Sequence, residues 1–138
     1  MASLDTNGLL RLLMQDDTGQ LAAAQQLVRG RVAAGQTLFV PVTVALELEW
    51  VLRSRFELGK PAVLQTFTQL LSAVELRFEA AAAVEWALRQ YVAATADFAD
   101  CLHAALAAQA GEHPLWTFDK AAARVDGVRL LADRKSVV

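Results

Sequence analysis

The chain predicts an α/β fold in which a short, mainly parallel sheet is covered by helices. Three observations lead there. Short β-rich runs alternate with longer runs of helical periodicity along all 138 residues. Pro41, Pro61 and Pro114 each fall where one run gives way to the next. Hydrophobic residues make up 55% of the chain, at a mean hydropathy of +0.31, and a chain of this length buries roughly two thirds of its unfolded surface.

Taken in order, Met1 to Leu4 reads as a strand ending at Asp5. Asn7 to Met14 reads as a short helix, broken by Asp16-Asp17-Thr18-Gly19. Leu21 to Ala34 is a helix closed by Gly35 at a C′ position. Thr37 to Val40 is a strand that stops at Pro41. Thr43 to Arg55 is a helix, because Val44, Leu48, Val51 and Leu52 recur on one face. Pro61 suits the first turn of a helix running to Ser72. Val74 to Phe78 alternates apolar and charged residues as a strand does. Ala80 to Ala93 and Asp97 to Ala110 are helices, the second ending at Gly111. Leu115 to Phe118 is a strand leading directly into Asp119, Lys120 to Arg124 a helical turn, and Val128 to Leu131 a last strand.

Length and composition narrow the function. The size is that of about one domain. The longest stretch without a formal charge is Val32 to Leu46, 15 residues, against the roughly 20 that a membrane span needs. The opening residues lack the basic region and apolar run of a secretory signal. A lone cysteine, Cys101, allows no internal disulfide and fits a reducing compartment. With only His103 and His113 beside it, an ordinary Cys/His zinc site is excluded. A pI near 5.6 argues against nucleic-acid binding by overall charge, though not against a local basic groove. The apolar excess points to association with a partner, or to helix contacts lined by alanine.

Acids carry the chemistry. Asp5 and Asp119 stand at the carboxyl ends of candidate strands, where open α/β sheets place their ligands. Glu47 lies in the helix after the second strand, and Asp97 and Asp100 sit three apart on one face of another helix. Converging carboxylates would make a hard-oxygen site suited to magnesium or manganese. Two such metals can activate a water and stabilise the leaving oxygen in phosphodiester cleavage. The same residues also fit plainer roles. Asp5 and Asp119 would serve as turn or cap residues, Asp97 as an N-cap, Asp100 as a first-turn acid, and Glu47 and Glu49 as solvated helix positions.

Four segments in this order resemble the motifs of PIN-domain nucleases. They are Leu4-Asp5-Thr6-Asn7, then Pro41 to Ser54 with Glu47 and Glu49, then Thr95 to Ala105 with Asp97 and Asp100, then Thr117-Phe118-Asp119-Lys120 with Gly127-Val128. The resemblance spans Leu4 to about Leu131 and is closest to the VapC-type toxins of type II toxin–antitoxin pairs. It implies a single domain over residues 1–138, with a PIN-like three-layer α/β/α fold. It further implies a cytoplasmic ribonuclease using Mg2+ or Mn2+, a cognate VapB-type antitoxin and a homodimer. Carried over by motif, the catalytic and metal-binding acids are Asp5, Glu47, Asp100 and Asp119, with Asp5 and Asp100 the foremost ligands. Glu47 is preferred to Glu49 because it precedes Trp50 to Arg53 by the family spacing. Two residues on a helix are about 200° apart, so only one of the two faces a pocket. Asp97 takes a supporting or capping role, and Thr6, Asn7 and Thr117 orient carboxylates. Arg53, Arg55, Lys60 and Lys120 are candidates for RNA phosphates, with solvated helix charge the equal alternative. His103 is one turn beyond Asp100, as a neighbour of the site or as a packed or solvated residue.

Two other enzyme classes fit less well. A haloacid-dehalogenase phosphatase needs a second Asp where this chain has Asn7. A receiver domain needs a central Asp at a strand end, where this chain has Glu47 on a helix. Within the PIN resemblance, a housekeeping nuclease and a degenerate binding module remain the alternatives to a toxin.

Overall fold

The structure, a computed structural model, describes residues 2–14 and 18–131. It divides into two compact units, Met1–Ala81 and Ala82–Val138.

The first unit holds β1 (Ala2–Ser3), α1 (Thr6–Met14), α2 (Thr18–Ala33), β2 (Leu38–Val40), α3 (Val42–Ser54), α4 (Lys60–Ser72) and β3 (Leu76–Phe78). Its strands form one parallel sheet in the order β1-β2-β3, with Ser3 opposite Phe39 and Phe39 opposite Arg77. Parallel neighbours require crossovers, and the helices supply them. Two further backbone bonds, Leu4 N–H to Phe39 O (3.0 Å) and Glu79 N–H to Val40 O (2.9 Å), extend the ladder at its carboxyl edge. The chain therefore reaches Asp5, the start of α3 and Glu79 along that one edge. Leu9, Leu38, Val40, Leu48, Leu52, Val63 and Phe67 are fully enclosed in this unit. Each such side chain contributes roughly 1.5–3 kcal/mol by leaving water.

Several ends differ from the sequence expectation. Thr18 and Gly19 belong to α2 rather than to a break, while the expected break at Asp16-Asp17 lies outside the described residues. The first turn of a helix makes few intrahelical demands, so a glycine there costs little. Val74 and Glu75 form a turn instead of opening β3. Leu76 N–H donates to Ala73 O at 3.2 Å, and this closure of α4 takes up the residues that alternate like a strand. Gly35 does close α2: its φ is +71°, its N–H bonds Val32 O and the Gln36 N–H bonds Arg31 O. That bond pair is the Schellman arrangement.

Helix α3 begins without a side-chain cap on its own residues. Glu79 takes that part, its Oε1 accepting the Val42 N–H at 2.8 Å.

Helix α5 (Ala81–Ala93) opens at the boundary of the second unit, which continues through α6 (Phe98–Gln109), β4 (Leu115–Thr117), a 3₁₀ turn at Ala122–Arg124 and β5 (Val128–Leu130). β4 and β5 pair in parallel, with Trp116 opposite Arg129. Val84, Ala87, Phe98, Cys101 and Val125 are enclosed here, and Tyr91 meets Phe98 edge-on with ring centroids 5.6 Å apart. Gly111, at φ +74°, ends α6 as Gly35 ends α2. The class is thus helix-rich α/β with short parallel strands, as expected; among the described residues the strands form two ladders, one in each unit.

Candidate functional site

In the first unit, a cleft of about 230 Å³ opens beside the carboxyl end of β1, lined by Asp5, Thr6, Asn7, Glu47, Trp50 and Arg55 among others. Asp5 caps α1, with Oδ1 accepting the Gly8 N–H at 2.9 Å. Its Oδ2 has no hydrogen bond among the described residues. Thr6 is buried and its hydroxyl donates to Glu47 Oε1, tying the first turn of α1 to α3. Glu47 itself is exposed, whereas Glu49 is 2% exposed and accepts from Arg53 Nε at 2.9 Å. The two glutamates thus point to different surroundings, as their 200° separation requires.

In the second unit, Asp97 and Asp119 lie close enough to Asp100 for their charge to reach it. Burial raises the Asp100 carboxyl above its ordinary value of 3.8, the charges of Asp119 and Asp97 push it further, and His103 pulls it back. Asp97 occupies the N-cap position of α6 but makes no capping bond with its side chain. Asp119 Oδ1 accepts the Ala121 N–H (2.8 Å) and the Ala122 N–H (3.4 Å), an Asx turn. Its own N–H donates to Thr117 Oγ1 at 3.0 Å, so Thr117 holds the backbone that carries this acid.

Of the basic candidates, Arg55 lines the cleft and packs over Phe56, 5.7 Å from the ring centroid. Arg53 is engaged by Glu49. Lys60 is half-buried at the start of α4, and Lys120 is exposed beside Asp119. Trp50 in the cleft escaped the sequence reading, although its spacing of three from Glu47 puts it on the same helix face.

Within the second unit, the carboxylate oxygens of Asp97, Asp100 and Asp119 suit a hard divalent cation, whose positive charge would offset the effect of Asp119 and Asp97 on Asp100. Among the described residues, however, no group of three or more His, Cys, Asp or Glu side chains is gathered to hold a metal.

The PIN domain family profile matches residues 2–128. The chain belongs to the PIN domain family. PIN domains are generally nucleases that act on RNA or DNA, typically with divalent metals. No match to the chain is found among curated proteins. Among the described residues of this PIN domain, no helix is long and apolar enough to cross a membrane.

Proposed function

We propose that this PIN domain is a Mg2+- or Mn2+-dependent endoribonuclease, the toxin of a VapBC-type pair, with Asp5, Glu47, Asp100 and Asp119 as its working acids. The PIN family match over residues 2–128 carries the reading, and the raised Asp100 carboxyl, part-buried and close enough to Asp119 and Asp97 to feel their charge, fits a place where a cation would be welcome. A family match running through both compact units supports treating residues 1–138 as a single domain.

In this reading Asp5 and Asp100 are the principal ligands, with Glu47 and Asp119 completing the set. Held by these acids, a divalent cation would supply Lewis acidity that activates water and offsets charge on the phosphodiester. The chain's own groups do the rest. Thr6 fixes the Glu47 carboxylate, Thr117 and the Asx turn fix Asp119, and Glu47 or Asp119 accepts a proton from the attacking water. Arg55 and Lys120 steady the RNA phosphates; Asp97 adds supporting charge. The antitoxin, a VapB-type protein, would block this site, and a homodimer would cover part of the apolar surface, all in the cytoplasm.

A PIN-type binding module without catalysis is the second reading, favoured by the lack of a gathered three-ligand group among the described residues. RNA cleavage with added Mn2+ separates the two. Wild type should cleave, while Asp5→Asn and Asp100→Asn should each lose at least about 100-fold, in the range of a removed electrostatic partner. Undiminished cleavage by folded variants would refute the assignment.

A further inference from the structure

Strand β4 and the bend that follows it at Phe118 lead into Asp119 with two aromatic side chains outward. Trp116 is 53% exposed and Phe118 72% exposed, two large rings in water on adjacent alternate positions. Across the ladder from Trp116 stands Arg129, also exposed, and register partners in a parallel pair lie on the same face. Leu131 prolongs that edge, its N–H bonding Thr117 O at 2.6 Å. Among the described residues the Arg129 and Lys120 side chains make no hydrogen bond or ion pair. Burying two such rings would be the ordinary outcome of folding; displaying them beside free cations and a candidate catalytic acid calls for a ligand that is flat, apolar in its faces and negatively charged at its edge. Unstacked nucleotides have that chemistry.

We propose that Trp116 and Phe118 form a base-stacking platform, with Arg129 on the adjoining phosphate, that seats single-stranded RNA next to Asp119. This rests on the nuclease reading above and names the substrate contacts of its second unit. Hydrogen bonds make the seat rigid: the Asp119 N–H to Thr117 and the Asp119 carboxylate to Ala121 hold the turn that joins platform to acid. The negative net charge of -2 poses no obstacle, since stacking needs no overall positive charge and the cations are local.

The test is binding of a labelled single-stranded oligoribonucleotide, followed by fluorescence anisotropy in EDTA so that cleavage is suppressed. Trp116→Ala and Phe118→Ala should each raise Kd about tenfold, within the range for loss of one stacked base. Arg129→Gln should flatten the dependence of log K on log salt by about 0.7, the loss of one single-strand phosphate contact. Val74→Ala, which removes a still more exposed apolar side chain in the first unit, should change nothing. The same sequence as a duplex should bind wild type and the aromatic variants alike. Unchanged single-strand affinity in both aromatic variants would overturn the proposal. So would loss of self-association in those variants without loss of RNA binding, which would make the face a protein contact. Cleavage in Mn2+ is scored separately. A wild type that binds through the rings but never cleaves defeats the nuclease reading alone; one that cleaves while the ring variants bind normally defeats the platform alone.

Discussion

Asp100 shows how one carboxylate reports on its surroundings. Its raised proton affinity comes from partial burial first and from Asp119 and Asp97 next. A carboxyl whose affinity is raised by folding favours the folded state at low pH and burdens it once ionised. Asp100→Asn should therefore stabilise the metal-free protein at neutral pH, by up to about 1 kcal/mol given solvent screening. The gain should fade as pH falls toward and below 3.8, where the unfolded carboxyl also protonates. Urea titrations at pH 7 and pH 3.5 check both halves. Arg53 teaches a different lesson. Its sequence position suggests a phosphate contact, yet its Nε is bonded to the buried Glu49. Arg53→Ala should cost about 1.5–3 kcal/mol of stability by denaturant unfolding, the range for a hydrogen bond to a charged group. RNA affinity should change less than for Arg55→Ala, which alters the cleft itself.

At the scale of elements, two glycines near the end of α2 make opposite predictions. Gly30 lies inside the helix, and a Cβ built there meets nothing within 4 Å. Gly30→Ala should stabilise by about 0.5–1 kcal/mol through reduced unfolded-state freedom. Gly35 also has open space, but at φ +71° a Cβ approaches the following carbonyl. Gly35→Ala should destabilise by about 1 kcal/mol. Thermal unfolding of the two variants gives the signs directly. The interiors of these elements were legible from the sequence because periodicity and turn chemistry are local. The ends of α2 and β3 were not. A hydrogen bond such as Leu76 N–H to Ala73 O competes with strand pairing, and alternation alone cannot say which wins.

At the scale of the whole molecule, metal binding tests the proposed carboxylate ligands. Metal that binds only the folded chain raises its apparent stability by mass action, by about 2.7 kcal/mol at 100 times Kd. Mn2+ should therefore raise the thermal midpoint of wild type. Asp100→Asn, more stable without metal, should lose most of that shift, as should Asp5→Asn. A shift surviving in both variants would place the cation elsewhere.

From its sequence alone, this protein's class, the order of its helices and strands, and the acids at strand ends could be derived. All of these follow from spacing within a few residues and from the family motifs. Only tertiary structure decided that Glu47 lines the cleft while Glu49 is held by Arg53, that Thr6 ties α1 to α3, and that Trp116 and Phe118 stand in water. Neighbours on a helix or strand share the same local pattern whichever way they face. What distinguishes them is the partner that packing brings from elsewhere in the chain, such as Thr6 reaching Glu47, or leaves out, as around Trp116.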